Sequence, residues 1–122
     1  MNIGFTGHRN KLTDPTELRQ LETDYPGATW IHGGAIGFDT QVNTVALALG
    51  KVLGETLIVI KPDYHQHLQR LAPLIRNEEI VKHVDLLVAC YDKRGKGGTF
   101  YTINYAKHRG VPVKFVSVKE IE

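Results

Sequence analysis

The chain has 122 residues, of which 42% are hydrophobic and 23% are charged, and its formal net charge is +2 at pH 7. This composition is typical of a soluble globular protein and excludes a disordered or fibrous chain. The length predicts one domain, and the small positive charge falls short of the dense cationic surface that general nucleic-acid binding needs. No apolar run is long enough to span a membrane, and no secretory signal precedes the first one, so we expect a cytoplasmic protein.

Five short apolar runs, rich in β-branched residues, alternate with segments of helical periodicity. The predicted strands cover residues 3–6, 29–32, 56–60, 86–90 and 111–116. Alternating strands and helices indicate βαβ units and a parallel sheet. We therefore predict an α/β fold, a Rossmann-like three-layer αβα arrangement whose five-stranded parallel sheet has the order 3-2-1-4-5.

Each predicted helix carries a start or a stop signal. Asp14 is placed to cap the first helix and Pro15 to occupy its first position, and the helix is expected to end near residue 24. Gly50 and Gly110 supply left-handed stops for the second and fourth helices. The later predicted helices span about residues 39–49, 73–83 and 99–109.

Three glycine-rich turns, at residues 7–9, 33–39 and 97–99, each follow a predicted strand. Glycines there let backbone N–H groups approach an anion at a helix N-terminus. In a parallel sheet such turns meet at the carboxyl ends of the strands, where the strand order reverses. The turns and one stretch of the third helix supply the candidate ligand-binding residues, which are Gly7, His8, Arg9, Gly33, Gly34, Ala35, Asp39, Arg76, Asn77, Gly97, Gly98, Thr99 and Thr102.

Several of these residues have a purely structural alternative. The 33–37 turn either cradles a phosphate or simply joins a strand to a helix, and Asp39 either caps the second helix or contacts a ribose hydroxyl. Thr99 is placed to cap the fourth helix through its hydroxyl. Arg76 is next to a buried face, where an unpaired charge is costly, so it needs either a bound phosphate or a salt bridge to Glu78 or Glu79.

The sequence offers little for metal binding or catalysis. Cys90 is the only cysteine and fits a small apolar position at a strand end, and His65 and His67 lie in a predicted loop, so we predict no metal site and no cofactor. Asp39 and Asp92 are the only carboxylates near the expected pocket, which leaves general acid–base chemistry thinly provided and no catalytic residue assigned. The basic stretch 93–96 is predicted to be a solvated loop.

Four aromatic residues lie near predicted strand or helix ends. They either stack on a base or pack against the core or its rim, and they are Tyr64, Tyr91, Phe100 and Tyr101.

The chain resembles the SLOG superfamily of Rossmann-like nucleotide-binding domains in five motifs that follow one another along nearly all of its length, at residues 4–9, 31–39, 62–64, 72–77 and 97–99. The superfamily includes DprA, the LOG phosphoribohydrolases and the small YspA-like proteins, and the G-G-A-x-G-x-D turn is most similar to that of the YspA-like group. The resemblance implies that the glycine turns, Arg76 and Thr99 surround a nucleotide or nucleotide-derived ligand, such as a signalling nucleotide. Because relatives often form dimers or larger assemblies, it also implies a homodimer or higher homo-oligomer.

The resemblance favours ligand binding over ligand hydrolysis. LOG enzymes carry the motif P-G-G-x-G-T-x-x-E with a catalytic glutamate, whereas this chain has Lys96 at the proline and Thr102 at the glutamate. Our leading hypothesis is therefore a nucleotide-binding module that needs no chemistry. The alternatives are a nucleoside-monophosphate N-glycosidase that uses Asp39 or Asp92, and a DprA-like accessory protein that binds single-stranded nucleic acid.

Overall fold

A computed structural model describes residues 1–120 and shows a Rossmann-like α/β fold. Its elements are β1 (Asn2–Gly7), β2 (Lys11–Leu12), α1 (Pro15–Asp24), β3 (Thr29–His32), α2 (Phe38–Ala48), β4 (Leu57–Val59), α3 (Ala72–Lys82), β5 (Leu86–Cys90), α4 (Gly97–His108), β6 (Val113–Phe115) and β7 (Lys119–Glu120). The five-stranded sheet has the order β4-β3-β1-β5-β6, and all its pairings are parallel. The predicted order 3-2-1-4-5 is confirmed.

The helix boundaries follow local chemistry with small departures from prediction. Asp14 caps α1 as expected, since its Oδ1 accepts a hydrogen bond from the backbone N of Thr16 at 2.9 Å, and Pro15 is the first helical residue. Helix α3 begins at Ala72, one residue early, because Pro73 is tolerated in a first turn, where its missing N–H needs no partner. Helix α4 begins at Gly97, two residues before the prediction. Within residues 1–120, no helix combines the length and apolar content that crossing a bilayer requires.

The core lies on both faces of the sheet. On one face Phe5 and Trp30 pack with ring centroids 4.9 Å apart, together with buried residues of α1 and α2. On the other face Ile80 of α3 and Val84, which follows that helix, pack with Ile31 of β3. A methyl group at Gly4 would lie 2.9 Å from Cγ2 of Ile80, so the glycine allows α3 to approach the central strand closely. The three predicted layers are therefore present.

The sequence did not predict a second, two-stranded sheet that flanks the site. Strand β2 pairs antiparallel with β7, and Nζ of Lys11 lies 2.7 Å from Oε1 of Glu120. Near by, the Glu17 carboxylate accepts a hydrogen bond from the backbone N of Ser117 at 3.1 Å. Because two-residue strands carry no readable periodicity, only the folded chain reveals this pairing. The segment that carries His8 and Arg9 joins β1 to the first strand of this pair.

Candidate functional site

A cavity of about 570 Å³ lies at the carboxyl end of β1 and beside the starts of α3 and α4. This is where the strand order reverses, since β1 has β3 on one side and β5 on the other. From the first two glycine turns it is lined by Gly7, His8, Arg9, Ala35 and Asp39. From α3 and α4 it is lined by Arg76, Asn77, Gly97, Gly98 and Thr99. We call this cavity the cleft.

Three of the predicted site residues lie outside the lining of the cleft. Gly33 is buried behind it, and its carbonyl oxygen accepts a hydrogen bond from Arg76. Gly34 lines a separate cavity of about 230 Å³. Thr102 is buried, and its hydroxyl donates to the carbonyl of Gly98 at 2.7 Å. Thr102 therefore supports the first turn of α4 from behind.

The 33–37 turn is closed by side chains of the protein itself. Oδ2 of Asp39 accepts hydrogen bonds from the backbone N of Gly33 and of Ala35, both at 3.2 Å. The backbone N of Gly34 donates to Nδ1 of His32 at 2.9 Å. These three amides thus have internal acceptors, and an external phosphate would have to displace them.

The expectation that Asp39 caps α2 is wrong. The N-cap is Gly37, which has no side chain to offer, and Asp39 is the second helical residue. Gly37 has φ +85°, and a methyl group there would lie 2.3 Å from the carbonyl oxygen of Arg9. Because the backbone passes so close to the 8–9 segment, the helix starts on a glycine, and the Asp39 carboxylate turns back to the preceding loop.

Asp39 is 7% exposed, and its surroundings act on its pKa in opposite directions. Burial raises the pKa of Asp39, whereas His32, the two loop amides and Arg76 favour the charged form. Its second oxygen, Oδ1, is buried and has no hydrogen-bond partner within residues 1–120. One carboxylate oxygen in the cleft wall is therefore left unsatisfied, which is costly in a protein interior.

Arg76 reaches from α3 into the wall of the cleft. Nε donates to Oδ1 of Asn77 at 2.7 Å, and Nη1 donates to the carbonyl of Gly33. A methyl group at Gly33 would lie 2.5 Å from Nη1, so the glycine makes room for the guanidinium.

The alternative of a salt bridge from Arg76 to Glu78 or Glu79 is not realised. In the described part of the chain no carboxylate lies within 4.0 Å of the guanidinium, and both glutamates bond to other side chains. Burial lowers the pKa of Arg76, yet a guanidinium stays charged at neutral pH. The cleft wall therefore carries a partly buried positive charge whose ion pairing is incomplete.

The N-terminus of α4 faces the cleft without a cap. Lys96 is the N-cap residue, in extended conformation, and makes no side-chain capping bond. Thr99 is the third helical residue and is buried, so the expectation that its hydroxyl caps the helix is wrong. Among residues 1–120 no acceptor occupies the backbone N–H groups of Gly97, Gly98 and Thr99. These amides and the helix dipole present partial positive charge to the cleft.

A hydrogen-bonded cluster of His8, Asp92 and Arg94 lies at the rim of the cleft. Nε2 of His8 lies 3.1 Å from Oδ1 of Asp92, and Oδ2 of Asp92 lies 2.6 Å from Nη2 of Arg94. The hydrogen bonds from Arg94, helped by His8, hold the pKa of Asp92 well below its usual range. Burial lowers the pKa of His8, although Asp92 opposes this shift. These contacts hold His8, Asp92 and Arg94 in place without a ligand.

Some residues that line the cleft were not predicted from the sequence. Arg94 belongs to the stretch predicted to be a solvated loop, but it lines the cleft together with Asn10 and with Pro73 and Leu74 at the start of α3. The spacing of Asp92 and Arg94 is a signal for a local ion pair across a turn. Nothing in the sequence indicates that Asn10 faces the same cavity, because it lies in the short connection between β1 and β2.

The cleft carries positive charge and unpaired backbone amides, and in the described part of the chain it holds neither a cluster of metal ligands nor an activated thiol. No group of three or more His, Cys, Asp or Glu residues suited to a metal ion occurs among residues 1–120. Burial raises the pKa of the Cys90 thiol to about 12, so it is a poor nucleophile at neutral pH. Arg9 is exposed at the mouth, and Arg76 lies in the wall.

Comparisons with protein-family models, with curated proteins and with solved structures found no match to this chain. The strand order and the parallel pairings identify it as a protein of Rossmann-like α/β fold.

Proposed function

We propose that the cleft binds a nucleotide or a nucleotide-derived ligand, such as a signalling nucleotide, and that the chain is a member of the SLOG superfamily. One observation carries the proposal. The partly buried Arg76 guanidinium, with no carboxylate within 4.0 Å among residues 1–120, lines the same cavity as the uncapped N-terminus of α4. A phosphate group between them would accept charge-assisted hydrogen bonds from the guanidinium and from the helix amides.

We assign the phosphate to the start of α4 and not to the 33–37 turn. The amides of that turn already bond to Asp39 and His32, whereas those of Gly97, Gly98 and Thr99 have no acceptor in the described chain. Exposed Arg9 adds a second positive charge at the mouth of the cleft.

Binding without hydrolysis is the form of the proposal that Asp92 and Thr102 support. Asp39 uses one oxygen to hold the loop amides, and Asp92 is engaged by Arg94 and His8 with a strongly lowered pKa. A general acid must hold a proton near neutral pH, which Asp92 does not do. The hydroxyl of Thr102 bonds to Gly98 behind the cleft. We therefore expect no free base from any nucleoside monophosphate, which chromatography of long incubations checks.

The proposal is tested by titrating the protein with nucleoside monophosphates, diphosphates, cyclic nucleotides and ADP-ribose in a calorimeter and in a thermal-stability assay. A ligand at about 100 times its Kd should add about 2.7 kcal/mol to the free energy of unfolding. Arg76→Met removes the hydrogen bonds of a charged group and should weaken binding about tenfold or more. Arg9→Ala should weaken binding without affecting the fold, because Arg9 is exposed.

Arg19→Ala is the matched control, since Arg19 is exposed on α1 and lines a different cavity. It should bind every ligand as the unmodified protein does. The proposal is overturned if no ligand of the panel binds, or if Arg76→Met and Arg9→Ala both bind with unchanged affinity. Because Arg76 also holds Gly33, the Arg9 variant decides the matter should Arg76→Met lose stability.

A further inference from the structure

A second cavity, of about 850 Å³, opens between α3 and α4 directly beside the cleft. We call it the α3–α4 groove. It shares four lining residues with the cleft, namely Pro73, Leu74, Gly97 and Gly98. A ligand that occupies the cleft at the start of α4 can therefore continue into this groove without leaving the protein surface.

One face of α4 lines the groove with aromatic rings. The lining residues Tyr101, Asn104, Tyr105 and His108 stand at positions i, i+3, i+4 and i+7, so they lie on one side of the helix. The opposite side of α4 is buried. The rings of Tyr101 and Tyr105 have centroids 6.5 Å apart and planes only 10° apart, and Tyr101 is 38% exposed. The groove thus offers nearly parallel aromatic faces, of which that of Tyr101 is accessible.

The polar groups of the groove can hydrogen-bond to a heterocycle. Within residues 1–120 no carboxylate lines the groove, and its polar side chains include Arg70, His108 and Asn104. The Asn104 amide is exposed and has no side-chain hydrogen bond within residues 1–120, so its donor and acceptor are open to a base edge. The Tyr101 hydroxyl donates to Glu78 on α3, which holds the ring across the groove.

We infer that the α3–α4 groove holds the heterocyclic base of the ligand whose phosphate lies at the N-terminus of α4. This inference rests on the proposed function and names its ligand class, a nucleotide bound at both ends. An α-helix rises 1.5 Å per residue, so the span from Gly98 to Asn104 covers about 9 Å along the axis. The phosphate and the base therefore occupy successive turns of the same helix.

The inference predicts how much the base contributes to affinity. Stacking on an aromatic side chain strengthens binding about five- to 150-fold per base. At least one of the four common nucleoside 5′-monophosphates should therefore bind about tenfold or more tightly than ribose 5-phosphate, which has the phosphate and the sugar without the base. Titration calorimetry of the full chain with these five compounds measures the ratio.

Two variants at one position separate stacking from structure. Tyr101→Leu removes the ring and should bring the ratio of nucleotide to ribose 5-phosphate affinity close to one, while ribose 5-phosphate binds as before. Tyr101→Phe keeps the ring and loses only the hydrogen bond to Glu78, so it should preserve the ratio. A merely structural role of Tyr101 would affect both variants alike.

Three results would overturn the inference. In the first, ribose 5-phosphate and all four nucleotides bind equally, which removes the base from the groove and leaves the proposed function standing. In the second, Tyr101→Leu either keeps the full affinity ratio, which means that the ring does not stack on the base, or changes the oligomeric state in sedimentation. A changed oligomeric state would indicate that a second copy of the chain covers the groove. In the third, neither ribose 5-phosphate nor any nucleotide binds, and the proposed function fails together with the inference.

Discussion

The two glycine turns at residues 33–37 and 97–99 look alike in sequence and differ in the folded protein. Each follows the carboxyl end of a strand of the sheet, where a helix begins. In the first, the amides of Gly33, Gly34 and Ala35 bond to Asp39 and His32. In the second, the amides at the start of α4 have no acceptor in the described chain. We call them the closed turn and the open turn.

The difference indicates that a glycine turn before a helix has free amides only where no side chain of the chain itself fills it. In the closed turn a carboxylate of the chain itself takes the place that an anion would occupy. In the proposed function, the open turn keeps its amides for an exchangeable anion. A negative charge near a helix N-terminus is favourable in either case, so the same physics serves structure in the closed turn and, under the proposed function, ligand binding in the open turn.

Paired alanine substitutions should give the largest contrast between the turns. Gly37→Ala combines a positive φ of +85° with a contact of 2.3 Å to the Arg9 carbonyl, and it should cost about 3 kcal/mol or more of unfolding free energy. Gly97→Ala has φ +92° and meets nothing within 4 Å, so it should cost only about 1–2 kcal/mol. Urea unfolding measures both. Equal losses would show that the two turns are equally free of close neighbours.

Removing the Asp39 carboxylate from the closed turn should have an intermediate effect on the free energy of unfolding. Asp39→Ala leaves the amides of Gly33 and Ala35 without their acceptor and should cost about 2 kcal/mol. On the open side, Thr102→Val removes a single neutral hydrogen bond to Gly98 and should cost about 1 kcal/mol or less. Urea unfolding of the two variants checks the order. An Asp39→Ala protein as stable as the unmodified one would mean that the carboxylate does not hold the closed turn.

The smallest effect should be on the pH dependence of stability. It is expected at His8, which contacts both α2 and the segment before α4. The carbonyl of His8 accepts from the backbone N of Phe38 on α2 at 3.3 Å, and its ring meets Asp92 before α4. Burial lowers the pKa of His8 from 6.5. Below that pH the unfolded chain takes up the proton more readily than the folded protein, so the free energy of unfolding decreases as the pH falls.

His8→Gln removes this titration, so the variant should lose less stability than the unmodified protein between pH 7.5 and 5.5. Urea unfolding at the two pH values gives the difference. His65→Gln, in an exposed loop, controls for the loss of a histidine as such. If His8→Gln is as sensitive to pH as the unmodified protein, His8 is not kept neutral by its burial.

Local patterns predicted most of the framework. The strands at residues 29–32 and 86–90 have the predicted boundaries, and the second is a continuous apolar run. Alternation with amphipathic helices was enough to predict parallel pairing and the strand order. The β2–β7 pair escaped prediction because it joins residues 11–12 to 119–120, and two-residue strands have no pattern of their own.

The candidate site was predictable as a set of positions, and less so as a set of contacts. The glycine turns and Arg76 were expected at one edge of the sheet, and most of them line the cleft. The partners of Asp39, Thr99 and Arg76 were not predicted correctly, because each depends on which atoms the neighbouring loop brings within hydrogen-bond distance. The predicted homo-oligomer stays a prediction.

By itself the sequence determined the parallel α/β framework and the edge of the sheet where the glycine turns meet. Both follow from hydrophobic periodicity and from the backbone freedom of glycine, which act over a few residues. Only the tertiary structure decided that the turn at 33–37 is closed and that at 97–99 is open. That outcome depends on where a single carboxylate points after the helices pack, a distance of a few ångströms that no local pattern encodes.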